Sequence, residues 1–172
     1  MDPRNCTKTL TPDSPLDTPP LSAAPPDCLE ELLALDRLCF GPLAWSREAW
    51  QEVVSDPAWT TLVWCPDGTV RGSAVLLLAQ PESVLASVAI HPAHRRQGVG
   101  LAFVQEAIRL ARRAGAQWLS LEVDEDNAPA VALYRRTGFK VCRRFLEDGR
   151  PRWEMRRWLR SQAAQGGGVP AA

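Results

Sequence analysis

An α/β fold with a mixed central sheet and helices on both faces is what this sequence predicts, and three observations predict it. Runs rich in β-branched residues alternate with amphipathic stretches of helical period, in the order ββαβ. One of those runs, Ser87-Val88-Ala89-Ile90, leads through a basic, glycine-bearing loop straight into a strongly amphipathic helix. A hairpin signal, Asp148-Gly149, joins the last two β-type runs.

The elements follow in order. Asp27 to Glu30 has the form of a capping box, and Leu29, Leu32 and Leu33, then Leu38 and Phe40, predict a first helix. Gly41-Pro42 breaks it, and Ser46 caps a second helix running to about Val54. Thr60–Cys65 and Val70–Ala79 are β-rich runs around the turn Pro66-Asp67-Gly68-Thr69, and Val84–Ile90 is the next strand. The helix after the loop, about Gly100–Ala114, places Leu101, Val104, Ile108 and Ala111 on one face and Arg109, Arg112 and Arg113 near its C-terminal end. Gly115 stops it, and Gln117–Val123 forms another strand. Asn127 and Pro129 open a short helix that Gly138 ends. Phe139–Leu146 and Arg152–Trp158 make the closing hairpin.

Composition bounds the function. With 172 residues, 45% of them hydrophobic and 23% charged, the chain suits one globular domain with a proper core. Residues 1–26 hold seven prolines and almost no large apolar side chains, so they read as a disordered leader. The domain then spans 27–160, and a flexible tail, 161–172, carries Gly166-Gly167-Gly168. The net charge is zero, yet residues 1–64 hold ten acids and four bases, while 135–172 hold three acids and ten bases. Two readings fit that asymmetry: contact with nucleic acid or a ribosome, or two ends of one domain that face each other. Five scattered cysteines without a CxxC exclude a disulfide framework and a zinc site, so no metal is expected. They place the chain in a reducing compartment, the cytoplasm. No stretch approaches the roughly 18 apolar residues of a membrane span.

The chemistry starts at the loop Arg95-Arg96-Gln97-Gly98-Val99-Gly100. A strand, a glycine loop and a helix N-terminus make an anion site, because backbone N–H groups converge where the helix dipole is positive. The glycines let the backbone approach a phosphate, and the arginines add charge. The loop lacks the third glycine of a dinucleotide fingerprint and the Gly-Lys-Ser/Thr of a P-loop. Along the later strand, Leu119, Leu121 and Val123 share one face, and Ser120 and Glu122 the other. An acid there fits either a face that opens on a cleft or a partner for one of the arginines. Tyr134, the only tyrosine, reads by itself as a half-buried core residue, the more common case.

Taken together, these residues resemble the GCN5-related N-acetyltransferase (GNAT) family, and its bacterial ribosomal-protein alanine N-acetyltransferase branch in particular. The resemblance covers about Leu29 to Leu159. The family's acetyl-CoA loop, Gln/Arg-x-x-Gly-x-Gly/Ala, is present as Arg95 to Gly100. The branch's later pattern is present as Leu121-Glu122-Val123, Asn127, Ala130, Leu133-Tyr134 and Gly138-Phe139. It implies a GNAT fold, a mostly antiparallel mixed sheet splayed at the cofactor site. Backbone groups of Val88, Ala89 and Ile90 would bond the pantetheine arm of acetyl-CoA. Arg95, Arg96, Gln97, Gly98, Val99, Gly100 and Leu101 would hold the pyrophosphate, chiefly through main-chain amides from Arg96 onward. Asn127 would contact the cofactor near its reactive end. Glu122 falls on the branch's general base and Tyr134 on its general acid.

The chemistry is consistent with those roles. Only a neutral amine attacks a thioester; at pH 7 that costs about 1.4 kcal/mol for an α-amine and about 4.6 for a lysine. A carboxylate base therefore suits an N-terminal amine better, and a phenol beside the sulfur assists a departing thiolate. Trp45, in Pro42-Leu43-Ala44-Trp45-Ser46, matches the Pro-Trp-Ser of the loop that lines the family's acceptor side, with two residues inserted. His91 and His94 lie at the phosphate end and read as exposed loop residues. The chain departs from related peptide acetyltransferases at Arg143–Gly149, where paired tyrosines are absent and acidic Glu147 and Asp148 stand in a shorter loop. The acceptor expected is a protein N-terminus, the N-terminal alanine of a small-subunit ribosomal protein first. A small amine, or acetyl-CoA binding without catalysis, is the alternative. A monomer without membrane or direct nucleic-acid contact is expected.

Overall fold

The computed structural model describes residues 19–159. In chain order its elements are β1 (Ser22–Ala23), α1 (Leu29–Phe40), α2 (Arg47–Ser55), β2 (Trp59–Trp64), β3 (Gly72–Leu77), β4 (Glu82–Ile90), α3 (Val99–Arg113), β5 (Trp118–Asp124), α4 (Ala128–Arg136), β6 (Lys140–Glu147) and β7 (Arg150–Trp158). One seven-stranded sheet runs in the order β1-β2-β3-β4-β5-β7-β6. Every neighbouring pair is antiparallel except β4 and β5. The crossover through α3 makes that one parallel pair possible, since parallel strands cannot be joined by a tight turn.

Alternation along the strands sends side chains to two cores. Leu62, Trp64, Ala74, Leu76 and Leu85 pack with Val99, Phe103, Val104 and Ala107 of α3 and Val131 of α4. Val63, Val75 and Ala89 pack with Leu32, Leu33 and Leu35 of α1 and Trp50 and Val53 of α2. Helices therefore cover both faces, as expected. A β-carbon on Gly72 would stand 2.9 Å from the Phe103 ring, so glycine makes room there for the largest side chain of α3.

Several expectations are corrected. No capping box forms at Asp27–Glu30: α1 starts at Leu29 after Cys28, whose side chain makes no capping bond. Ser46 and Asn127 do cap α2 and α4, accepting from the Ala49 and Ala130 amides at 3.2 and 3.3 Å. The leader was expected to run to residue 26, but Ser22 and Ala23 pair with Val63 and Leu62. Backbone pairing needs no apolar side chain, so composition is blind to it. Residues 1–18 and the expected tail lie outside the described residues. Leu101 sits half-buried at the margin of α3, whose buried stripe centres on Phe103 instead. The two ends of the chain do not neutralise each other among the described residues. The C-terminal arginines in ion pairs reach Glu122, Asp124, Glu125, Glu147 and Glu154 on and around β5 to β7.

The α1–α2 corner hangs on Asp36, only 2% exposed. Its Oδ2 accepts from the Trp45 amide at 2.7 Å and from Trp50 Nε1 at 3.3 Å. Burial raises the Asp36 carboxyl above its ordinary range, against those two bonds. The sequence carried a signal: Asp36 lies one turn beyond Leu32 and Leu33 on the apolar stripe of α1. Asp36→Ala strands two donors in the core, each costing about 1–3 kcal/mol. Urea unfolding should show a loss of about 2–4 kcal/mol for that variant, and a much smaller loss for Asp36→Asn, which keeps an accepting oxygen.

Candidate active site

The parallel ladder between β4 and β5 is short. Glu82, Ser83, Val84 and Leu85 align with Trp118, Ser120's neighbour Leu119, Ser120 and Leu121, and there the pairing ends. A bulge falls at the break: Leu76 faces Leu85 and Val75 faces Ser87, so Ala86 is the extra residue. It turns β4 over, and Ala89 consequently packs on the α1–α2 side although Leu85 packs on the other. Beyond it β4 stays with β3 to Ile90, while β5 stays with β7 to Asp124. The two strands part, as the splayed sheet requires.

A cleft of about 930 Å³ occupies the gap and the adjoining open sheet face. Trp45, Val88, Glu122, Asn127 and Tyr134 all line it, from four segments of chain: the α1–α2 corner, β4, β5, and α4 with its cap. Ala89, Ile90 and Arg95 to Leu101 do not. The His91 amide bonds Arg71 O at 2.9 Å, which sets the alternation along the β3–β4 ladder. By that alternation Ala89 exchanges its backbone bonds with Ser73, and Val88 and Ile90 turn theirs away from β3. Ala89 is thus corrected as a main-chain contact of the gap. Ile90 O already accepts from Arg95 Nε at 3.1 Å and from Cys39 Sγ at 3.3 Å.

The loop after β4 is built for backbone donors. Arg96 has φ 63° and Gly98 φ 81°, left-handed conformations two residues apart, of the kind from which anion-binding backbone concavities are built. Gly98 stands at the N-cap of α3 with no capping side chain. The first amide bonded within the helix is that of Ala102, to Gly98 O at 3.0 Å. The amides of Val99, Gly100 and Leu101 are therefore left for another acceptor. A β-carbon on Gly100 would meet Ile90 Cδ1 at 3.2 Å and Leu133 Cδ2 at 3.3 Å, so glycine lets α3 sit close on β4 and α4. Of the side chains, Val99 is buried in the core, Arg95 is turned back on Ile90 O, and Gln97 Nε2 donates to Ala93 O at 3.3 Å. His91 Nδ1 accepts from the Ala93 amide and His94 stands edge-on to Trp64; neither lines the cleft.

Both readings of Glu122 hold. Its face opens on the cleft with Ser120 and Asp124, and Arg152 Nη1 lies 3.4 Å from its Oε2. Its cross-strand neighbour is another acid, Glu154. Tyr134 packs against Phe139 and is almost fully buried, and burial pushes its phenol up to about 12. Among the described residues that hydroxyl has no hydrogen-bond partner. Trp45 is held at the opposite wall by Asp36 and by its ring against Trp50, 5.3 Å between centroids.

The sequence reading missed an ion network at the mouth. Arg152 lies between Glu122, Asp124 and Glu147, and Arg150 pairs with Asp124 at 2.9 Å and Glu147 at 3.4 Å. Asp124 could have been found, since it shares the alternate face of Ser120 and Glu122. Its partners across the hairpin could not. No group of three or more metal-ligating side chains occurs among the described residues, and no described helix is long and apolar enough to cross a membrane.

The model of the acetyltransferase (GNAT) family matches residues 28–139. A streptothricin acetyltransferase from Streptomyces lavendulae is 36% identical over 78 residues, 44% of this chain and 41% of that protein. A putative ribosomal protein bS18 alanine N-acetyltransferase from Bacillus subtilis strain 168 is 29% identical over 97 residues, 56% of this chain and 64% of that protein. The matches thus span less than two thirds of these relatives' lengths. The crystal structure of the ribosomal-protein-S18-alanine N-acetyltransferase from Escherichia coli has the same fold. It superposes with a TM-score of 0.76 at 22% identity, over 87% of this chain and 99% of that one.

Two measurements test this geometry. With a single tyrosine in the chain, tyrosinate absorbance should show one transition near pH 12 while the protein is folded, and near 10 once unfolded. A folded-state pKa raised in this way contributes stability below pH 10 that is lost as pH rises toward 12. Gly98→Ala forces a β-carbon into φ 81° and should cost about 1–2 kcal/mol in thermal unfolding.

Proposed function

The chain belongs to the acetyltransferase (GNAT) family, and on that premise we propose that it transfers acetyl from acetyl-CoA to a protein N-terminal α-amine. The N-terminal alanine of a small-subunit ribosomal protein is the acceptor of first choice. The observation that carries this reading is the convergence of Trp45, Val88, Glu122, Asn127 and Tyr134 on one cleft where β4 leaves β5.

The residues present fit acetyl-CoA. Val88 has backbone groups turned into the gap, and the uncapped start of α3 offers amides to a diphosphate. Asn127 spends its carboxamide oxygen on the Ala130 amide, which leaves its NH₂ for the cofactor. Arg96, Gln97, Gly98, Val99, Gly100 and Leu101 would serve through the main chain. When bound, acetyl-CoA supplies an acetyl group activated as a thioester. Glu122 takes the proton from the acceptor ammonium, directly or through water, at a carboxylate open to the cleft. Tyr134 keeps its proton across the whole physiological range, because burial holds it up to about 12. Its Oη is thereby a donor for charge that develops on the leaving sulfur. Trp45, fixed by Asp36, walls the acceptor side.

The cleft's shape and charge support a peptide. Ser120 to Asp124 line it along β5, about 13 Å of extended strand, so it is a trough more than a closed pocket. Glu82, Glu122, Asp124, Glu147, Asp148 and Glu154 face it against Arg150, Arg152 and Arg156, six carboxylates to three guanidiniums. That balance attracts a cationic acceptor. A small amine is the second reading, favoured by the identity to the streptothricin acetyltransferase. Binding without catalysis is disfavoured, since a module that only holds the cofactor needs neither Glu122 nor Tyr134.

Acetyl-transfer assays on N-terminal peptides and small amines decide the matter. Glu122→Gln should lower kcat by about 10²–10⁴ and Tyr134→Phe by about 10², with acetyl-CoA affinity little changed. Wild-type turnover in both folded variants overturns the roles, and transfer confined to small amines overturns the peptide acceptor. Among peptides that begin with alanine, basic residues at the second and third positions should lower KM by about tenfold relative to acidic ones. Raising the salt to 0.5 M should shrink that ratio.

A further inference from the structure

A second cavity, of about 660 Å³, lies between α3, the end of α4 and β7. It shares no lining residue with the acetyl-transfer cleft. Leu101, Gln105, Ile108 and Arg112 form its α3 wall, one stripe at helical spacing. Arg112 is thirteen residues past Val99, about 20 Å down the helix from the uncapped amides at its start.

Three guanidiniums converge here: Arg112, Arg136 and Arg157. No carboxylate lines the cavity, and none of the three arginines makes an ion pair among the described residues. Arg157 is pinned, its Nη1 donating to Thr137 O at the end of α4. A β-carbon on Gly138 would meet that nitrogen at 3.5 Å, an ordinary contact, so the guanidinium lies packed against the turn that ends α4. Burial, and then the charge of Arg112, push Arg157 below its ordinary range. Arginines in the last turns of α3 and α4 offset the helix dipoles, worth about 0.3–1 kcal/mol each. That accounts for their positions in sequence. It does not account for Arg112 standing close enough to Arg157, a cation from a strand, to repel it, with Arg136 on the wall of the same cavity and no carboxylate among the lining residues.

We propose that this cavity is an anion site separate from the acetyl-transfer cleft, which takes the phosphate of a nucleotide-sized ligand. The guanidiniums match phosphate oxygens, and the side chains of Leu101 and Ile108 offer an apolar wall to a ring. The volume falls in the range of small-molecule sites, and three guanidiniums suit the phosphates of one small ester rather than the long charged backbone of a polymer.

The test is calorimetric titration of ADP into the full chain, with and without saturating acetyl-CoA. ADP should bind in both cases, and adenosine in neither. Arg112→Gln with Arg136→Gln, both exposed positions, should weaken ADP at least tenfold and leave acetyl-CoA affinity within twofold. The corresponding double lysine variant should recover part of the loss. Loss of all ADP binding once acetyl-CoA is saturating, or an ADP affinity under that condition indifferent to the double variant, overturns the proposal. A short single-stranded RNA that binds more tightly than ADP, through the same arginines, overturns the small-ligand assignment. Failure of acetyl-CoA itself to bind would count against the proposed acetyl transfer and leave the ADP titration as readable as before.

Discussion

Everything at the cleft depends on the separation of β4 from β5 after Leu85 and Leu121. A sheet that stayed closed would spend the polar groups of Val88 and Ile90 on its own ladder and bury the face that carries Glu122. The extra residue at Ala86 is the local cause: it rotates β4, ends the register and moves Ala89 across the sheet. Main-chain groups thereby become available for recognition. They are held rigidly because the outer edges of both strands remain paired, β4 with β3 and β5 with β7.

Two side chains at this opening sit in opposite surroundings. Glu122 is close to half exposed, beside an arginine shared with Asp124 and Glu147. Tyr134 is sunk in the α3–α4 core, and its phenol is harder to ionise for that reason alone. One group is open to protons arriving from solvent and the other retains its own. The opposed environments follow from position: Glu122 points to the bare face of β5, whereas Tyr134 is drawn inward by the apolar stripe of α4.

The wall that carries Trp45 is held differently. Trp45 depends on Asp36, a buried acid at the α1–α2 corner, and the far wall is an ion network on β5 and β7. These parts come from segments distant in sequence. Relatives named for streptothricin and for ribosomal protein bS18 alanine each match part of this chain, so one fold serves different acceptors and side chains at the site, not the fold, set the choice.

Local order was legible in the chain. The periods of α2, α3 and α4, their caps at Ser46 and Asn127, the glycine turn at Gly98 and the closing hairpin all rest on residues adjacent in sequence. So did the candidacies of Glu122 and Tyr134, through strand alternation and a spaced motif. The partnering of distant residues was not legible. β1 pairs through its backbone, the capping box at Asp27 gave way to a helix that starts after Cys28, and Ala89 turned out to be bonded to Ser73. The acids around Arg152 and the three guanidiniums at the end of α3 meet only when strands and helices far apart in the chain are laid side by side. Periodicity and capping are short-range effects written in neighbouring residues; a cavity or an ion network is a property of which surfaces pack together, and that depends on the whole fold.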